Sequence, residues 1–155
     1  INVRQVGPAS TGRGTSCMKG KVAFFDTNVL VYLFDVDAPK KKAVAESLFR
    51  EYEKICFSTQ VLQEFYVTAT RKLGRPMSPE QELVAVKRFQ VYPVATIPPD
   101  QVTAAIRRSI DSQLSLWDAL IVESALAAGA DLLLTEDLHD GWQIGSLRVC
   151  NPFRD

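Results

Sequence analysis

The stretch FFDTNVL, residues 24–30, places Asp26, Thr27 and Asn28 directly after two phenylalanines and then returns at once to apolar residues. An aspartate in this place can cap a helix, because Asp readily accepts hydrogen bonds from the free N–H groups at a helix start. It can also hold a charge at the end of a buried strand, where open α/β sheets bind their ligands. The positions of the other acidic residues distinguish these two explanations.

Short apolar runs alternate with helical patterns along the chain. The apolar runs are residues 22–25, 55–58, 91–95, 131–135 and 147–150, which we predict to be strands. Parallel strands need helical crossovers, and strands covered on both faces are continuously apolar, as these runs are. The sequence therefore predicts an α/β fold, a three-layer α/β/α sandwich with a mainly parallel central sheet.

Local signals mark where several helices begin and end. Ser78 and Gln81 have the form of a capping box, with a proline between them at the first helical position. Gly129 is well placed to end the helix before the fourth strand in a left-handed turn. The last strand is predicted to follow a loop that contains Gly141 and Gly145.

The length of 155 residues suits one domain, predicted at residues 18–155. Residues 1–17 are rich in Gly, Ser, Thr and Pro and lack a periodic apolar face, so we predict a disordered or vector-derived tail. Met18 is then the expected natural start. Because no apolar run approaches the length of a bilayer crossing, we expect no membrane association.

Charge and cysteine content bound the class of protein further. Lys plus Arg and Asp plus Glu number 18 each, so no global positive field indicates a nucleic-acid binder. Three cysteines without CxxC spacing argue against a disulfide framework or a zinc site. A reducing, cytoplasmic location fits this composition best.

Four acidic residues are placed to meet at one end of the predicted sheet. Asp26 follows the first strand, and Asp137 follows the fourth. Glu64 lies in the first turns of the helix after the second strand, and Asp118 lies at the start of a helix that begins near Ser115. Because ligands bind outside the carboxyl ends of parallel strands, this end is the predicted site.

Each acid also has a purely structural explanation. Asp26 can be a helix N-cap, and Asp118, three residues after Ser115, can complete a capping box. Glu64 projects roughly 130° from the centre of its helix's apolar face, so it can face water. Asp137 can be a turn residue. Only the convergence of all four favours a functional explanation.

A cluster of this kind needs a counter-charge. Carboxylates about 5 Å apart repel by about 3 kcal/mol per pair at an effective dielectric constant near 20, which for four of them is comparable with the stability of a domain. Mg²⁺ or Mn²⁺ is the cofactor that an all-oxygen site selects. We expect Thr27, Asn28 and Thr135 to supply hydrogen bonds that orient the carboxylates.

Four stretches together resemble the PIN-domain family and, within it, the VapC-type toxins of bacterial and archaeal toxin–antitoxin pairs. They are FFDTNVLVYLFD, STQVLQEF, SLWDALIVESA and LLLTEDLHDG, followed by a closing NPF. The similarity runs from Lys21 to Phe153. It implies a metal-dependent endoribonuclease that leaves a 5′-phosphate and a 3′-hydroxyl on its RNA substrate. It also implies a homodimer and inhibition by a cognate antitoxin protein.

The resemblance also assigns roles to residues. Matched motif by motif, the catalytic acids of the family correspond to Asp26, Glu64, Asp118 and Asp137. Asp26, Asp118 and Asp137 are implied as direct metal ligands, whereas Glu64 binds the metal through water or orients it. The hydroxyl of the fourth motif falls on Thr135.

Two other functions remain open at the level of sequence. An aspartate-nucleophile phosphatase of the haloacid dehalogenase type also carries an acid after its first strand, but its usual second acid would fall on Asn28. A non-catalytic module that keeps the fold is the other alternative. His139 and Trp142 stay outside the predicted site, because a lone His in a turn and a loop aromatic are usually structural.

Overall fold

The computed structural model describes residues 20–154, so the predicted tail and Met18 lie outside the described residues. The elements follow one another as β1 (Val22–Phe25), α1 (Thr27–Tyr32), α2 (Pro39–Glu51), β2 (Lys54–Ser58), α3 (Thr59–Arg71), α4 (Pro79–Phe89), β3 (Val94–Ala95), α5 (Pro99–Ser112), α6 (Leu116–Ala127), β4 (Leu132–Leu134), β5 (Gln143–Ile144) and β6 (Leu147–Cys150).

Across the described residues, the strands form one sheet in the order β3-β2-β1-β4-β6-β5. All neighbouring pairs are parallel except β5 and β6. Helices α1 to α4 pack among themselves, and α5 packs on α6. With right-handed crossovers these two groups lie on opposite faces of the sheet. The predicted three-layer α/β/α sandwich is confirmed.

The sheet changes direction of winding between β1 and β4. From β1 the chain proceeds to β2 and β3 on one side, whereas β4 and β6 lie on the other side. Ligands in open α/β sheets bind beside such a switch point, at the carboxyl ends of the strands. Asp26 follows β1 at this point, and its N–H donates to the Leu134 carbonyl at the end of β4 over 3.1 Å.

The central strands supply the middle of the core. Ala23, Phe24 and Phe25 on β1 and Leu133 on β4 are completely buried. Phe25 contacts the ring edges of Phe49 and Tyr52 from α2 and its C-cap. The apolar runs that predicted buried strands therefore lie where both faces of the sheet are covered, as expected for a parallel sheet.

The predicted helix boundaries agree with the structure in detail. Ser78 and Gln81 form the reciprocal capping box at the start of α4. Gly129 follows the C-cap of α6 with a φ of +67°, and the N–H of Ala130 returns to the carbonyl of Ala125. Glycine suits this position because side chains disfavour a positive φ.

One strand prediction was wrong in extent, and one strand was not predicted. The predicted strand 91–95 is reduced to Val94–Ala95, because Val91 and Tyr92 donate backbone hydrogen bonds back to the end of α4. The predicted glycine loop before β6 contains β5, which pairs with β6 across a turn at Gly145. A two-residue strand is too short to show any periodicity, so no sequence pattern indicates β5.

Helix α4 buries a carboxyl group away from the acidic residues at the sheet end. Glu82 is completely buried, and neither of its carboxylate oxygens has a hydrogen-bond partner among residues 20–154. Burial raises its pKa from 4.5 to about 7. A buried charge without a partner costs stability.

Between residues 20 and 154, no helix combines the length and the apolar character that crossing a bilayer requires.

Candidate active site

Asp26 is the most deeply buried of the four predicted acids. It caps α1, and its Oδ1 accepts a hydrogen bond from the Thr27 N–H over 2.7 Å. Its Oδ2 accepts from the Thr135 hydroxyl, also over 2.7 Å. Burial raises the pKa of Asp26 to about 7, against these two hydrogen bonds, and the charges of Asp137 and Glu64 raise it further. Asp26 is therefore the N-cap of α1 and also a buried carboxyl group at the end of β1.

Thr27, the first residue of α1, links Glu64 to the neighbourhood of Asp26. The Thr27 hydroxyl donates to Glu64 Oε2 over 3.0 Å, and Gln60 Nε2 donates to Glu64 Oε1 over 2.8 Å. Gln60 lies one helical turn before Glu64, so both side chains share one face of α3. Glu64 is half-buried in this position and does not simply face water, as its helical angle had allowed.

Asp137 is held by the polar residues of two motifs. Asn28 Nδ2 donates to Asp137 Oδ2 over 3.0 Å and to Thr135 Oγ1 over 3.2 Å. The Asp137 N–H also donates to Thr135 Oγ1. The buried Thr135 hydroxyl therefore accepts from two groups and gives its single proton to Asp26. This arrangement couples the carboxylates that follow β1 and β4.

Asp118 approaches the site from α6. Its N–H donates to Ser115 Oγ over 3.0 Å, and the Ser115 hydroxyl donates to Asp118 Oδ2 over 2.7 Å. The predicted capping role of Ser115 is present, but the Asp118 side chain returns to the hydroxyl and not to the Ser115 backbone. Among the described hydrogen bonds, none joins Asp118 to the other three acids. It faces them across a cavity.

All four predicted acids line this cavity, which has a volume of about 490 Å³. Asn28 and Thr135 stand behind the lining, where they hold Asp26 and Asp137. His139 and Trp142, which we predicted to lie outside the site, are absent from the described lining. Trp142 packs against the core.

The cavity offers the carboxylate oxygens that a hard divalent cation prefers, but these oxygens are not already gathered around one point. Within residues 20–154, no three His, Cys, Asp or Glu side chains are already arranged to hold a metal ion. The donors are carboxylates, which Mg²⁺ and Mn²⁺ prefer, and Mg²⁺ binds through one or two carboxylates while keeping several waters. Asn28 Oδ1, behind the cavity lining, is a buried acceptor without a hydrogen-bond partner among the described residues. The metal-ligand roles of Asp26, Asp118 and Asp137 stay predictions.

The loop that carries Asp137 is also fixed on its outer side. Lys41 Nζ forms a 2.6 Å ion pair with Glu136 Oε2 and donates to the Tyr32 hydroxyl over 2.7 Å. The Tyr32 hydroxyl in turn donates to the other Glu136 oxygen. Glu136, adjacent to Asp137 in the chain, thus faces away from the acidic cavity and has a structural partner.

The sequence model of the PIN domain family matches residues 23–139 of the chain. The chain belongs to the PIN domain family. That span contains all four acids that line the cavity and the polar residues that hold them.

Solved structures share this PIN fold at low sequence identity. A toxin–antitoxin complex from Klebsiella pneumoniae has a chain that is 22% identical, with a TM-score of 0.66, and the match covers 86% of this chain and 99% of that one. VapC20 from Mycobacterium tuberculosis, described as a toxin that cleaves the sarcin–ricin loop, is 18% identical with a TM-score of 0.58 over 72% of this chain and 86% of that one. A DNA-bound VapBC from Salmonella typhimurium is 20% identical with a TM-score of 0.58, covering 83% and 96%. No curated protein sequence is similar enough to match.

The cavity lining of the PIN domain also includes residues that were not predicted from the sequence, among them Gln60, Lys72 and Trp117. Gln60 orients Glu64 and also donates to the Trp117 carbonyl over 3.1 Å. Trp117 and Lys72 line the cavity with side chains that remain exposed. The four-residue spacing of Gln60 and Glu64 was a usable signal for the first. The other two depend on how α3 and α6 pack, which periodicity does not reveal.

Proposed function

We propose that this PIN domain is a metal-dependent endoribonuclease, the toxin of a type II toxin–antitoxin pair. The observation that carries the proposal is the convergence of Asp26, Glu64, Asp118 and Asp137 on one cavity, with three of them tied together through Thr27, Asn28 and Thr135. The sarcin–ricin loop cleavage named for VapC20 is in keeping with RNA as the substrate.

The proposed roles follow from where each side chain lies. Asp26, Asp118 and Asp137 would hold Mg²⁺ or Mn²⁺, and Glu64 would orient the attacking water or bind the ion through it. When bound, such an ion stabilises charge on a scissile phosphate and lowers the pKa of the attacking water. Hydrolysis joins the water oxygen to phosphorus and breaks the bond to the 3′-oxygen, which leaves a 5′-phosphate and a 3′-hydroxyl.

The substrate and location are part of the same proposal. We expect unpaired or looped RNA, because a splayed backbone can reach a recessed cavity that a duplex cannot enter. A reducing cytoplasm is in keeping with Cys56 and Cys150, which are free thiols in the described chain.

Cleavage of RNA in the presence and absence of metal tests this function. We expect wild-type protein to cut an unstructured RNA with Mg²⁺ or Mn²⁺ and to stop in EDTA. Asp118→Asn should lower the rate by more than about a hundredfold, beyond the 10- to 100-fold effect of residues that only orient metal ligands, because Asp118 is proposed to bind the ion directly. Asp111→Asn, an exposed acid on α5, is the matched control and should cut normally. Equal cleavage in EDTA, or none with either metal by folded protein, contradicts the proposal.

Thr135 provides a separate test of how the carboxylates are oriented. Thr135→Ala removes the hydroxyl that joins Asp26, Asn28 and Asp137, so we expect cleavage to fall by about 10- to 100-fold. Thr135→Ser keeps the hydroxyl and should retain most of the rate.

The control for Thr135 is Thr103→Ala on the exposed surface of α5, which should cut like wild type. Initial rates at saturating metal are the measurement. A Thr135→Ala protein as active as Thr135→Ser would show that this hydroxyl does not matter for cleavage.

Two protein partners are proposed with the toxin assignment. A cognate antitoxin is expected to cover the acidic cavity with its C-terminal segment and to present an Arg to the carboxylates. A homodimer is expected as well, and the exposed Ile106 and Ile110 of α5 are apolar side chains suited to such an interface. Co-purification from the native two-gene unit and analytical ultracentrifugation of the full chain test these partners; lack of a binder would weaken the toxin assignment without affecting the nuclease.

A further inference from the structure

The acidic cavity continues as a groove along the length of α3. Its lining on this helix recurs one turn apart, at Gln60, Glu64, Thr68 and the C-cap Lys72. From Glu64 to Lys72 the helix rises about 12 Å, at about 1.5 Å per residue. That distance accommodates three or four stacked nucleotides, which rise about 3.4 Å each along one strand.

The acidic end of the groove carries an exposed aromatic side chain. Trp117 precedes Asp118, lines the cavity and is 62% exposed. Its backbone is fixed, because the Trp117 carbonyl accepts from Gln60 Nε2, the same group that orients Glu64. Large exposed aromatic rings beside a phosphate site are typical platforms for unpaired bases.

The other end of the groove carries a positive charge. Lys72 is exposed, and it is the basic residue among the described residues that line the cavity. The preceding residue, Arg71, is also exposed but does not contribute to that lining. Val67, which is 40% exposed, lies on the groove between Glu64 and Lys72 and offers an apolar surface. The groove therefore combines an aromatic ring, an apolar floor and a terminal cation.

We infer that a single strand of RNA lies along α3, with a base stacked on Trp117 beside the acidic residues and a phosphate paired with Lys72 a few nucleotides away. This inference rests on the proposed nuclease function and adds the path of the substrate. A single strand fits because it offers a free base face and a backbone charge at this separation, whereas a paired base has no face free to stack.

Binding in EDTA tests the path without competing cleavage. The probe is a fluorescein-labelled, unstructured RNA of mixed sequence and about 12 nucleotides, within the usual range of single-strand sites. Anisotropy titrations of the full chain compare wild type with Trp117→Ala, Trp117→Phe and Lys72→Ala. Tyr66→Ala and Arg71→Ala are the matched controls, because both residues are exposed on α3 and outside the groove.

Each variant has a distinct expected result. Trp117→Ala should weaken binding by about 5- to 150-fold, the range for losing one stacked base, and Trp117→Phe should recover most of it. Lys72→Ala should make the negative slope of log affinity against log salt less steep by about 0.7, the value for one phosphate contact on a single strand. Both controls should match wild type in affinity and in slope.

The same proteins assayed for cleavage separate this inference from the proposed function. With Mg²⁺ or Mn²⁺, Trp117→Ala and Lys72→Ala should raise KM more than they lower kcat, because they remove binding and leave the acids in place. If wild type cleaves RNA but both groove variants bind and cleave like the controls, the strand takes another path and the nuclease assignment stands. Equal losses in groove variants and controls would likewise overturn the path, because they would trace to general charge or folding.

Discussion

Asp26→Asn is expected to abolish RNA cleavage, by more than about a hundredfold, while stabilising the metal-free protein. The loss should exceed the 10- to 100-fold effect of changing residues that merely orient metal ligands. The metal-free protein should gain stability because burial raises the Asp26 pKa from 3.8 to about 7. At pH 8 the charged carboxylate therefore opposes folding by roughly 2–4 kcal/mol. Asparagine removes this cost but can accept only one of the two hydrogen bonds that Asp26 accepts, so the net gain in stability is smaller than this figure.

The stability that Asp26→Asn gains over wild type should increase with pH. Below the ordinary pKa of 3.8, Asp26 carries a proton in both the folded and the unfolded chain and opposes folding little. As the pH rises from there to about 7, the unfolded chain releases its proton first, so the stability of wild type falls. The gain from Asp26→Asn should therefore be small near pH 4 and reach its full size above pH 7.

Urea denaturation in EDTA at several pH values, together with RNA cleavage, measures both effects. Added Mg²⁺ should then raise the unfolding temperature of wild type more than that of Asp26→Asn, because an ion that binds the folded state stabilises it. Asp111→Asn again serves as the exposed control. An Asp26→Asn protein that cuts RNA normally would remove Asp26 from the proposed metal site. If the stability difference between wild type and Asp26→Asn does not change with pH, the charged form of Asp26 does not oppose folding.

Glu82→Leu is expected to stabilise the fold by roughly 1–3 kcal/mol at pH 8, the cost of an unsatisfied buried polar group. Glu82 is completely buried on α4, and neither carboxylate oxygen has a described partner. Burial raises its pKa from 4.5 to about 7, so its unfavourable effect grows as the pH rises through this window. The benefit of leucine should shrink towards pH 5.

The control for Glu82 is Glu46→Leu at an exposed position of α2, which should change the free energy of unfolding by no more than about 0.5 kcal/mol. Denaturant titrations of both variants and wild type at pH 5 and pH 8 give the comparison. Cleavage should be unaffected, because Glu82 is not among the residues that line the acidic cavity. A Glu82→Leu protein less stable than wild type at pH 8 would mean that the carboxylate has a favourable partner.

The parts of the fold that the sequence predicted are those with strong local patterns. The runs that became β1 and β4 are continuously apolar, and capping residues at Ser78 and Ser115 mark the helix starts. The meeting of the acids followed from topology, because residues after parallel strands share one edge of the sheet. These predictions needed no knowledge of side-chain packing.

The parts that were missed depend on contacts between distant segments. Lys72 and Trp117 share a groove only because α3 and α6 converge on the acidic cavity. Glu82 is charged, so its burial contradicts the pattern from which burial is inferred. Strand β5 exists through its pairing with β6 across Gly145 and has no signature of its own.

Both margins of the sheet consist of very short strands. Val94–Ala95 ends one side, directly after a proline, and Gln143–Ile144 ends the other. A foreign chain that docks edge-on finds few unpaired backbone groups there, so fibrillar self-association through sheet extension has little to start from. Self-association of the concentrated protein should therefore proceed through its side-chain surfaces and not through extension of the sheet.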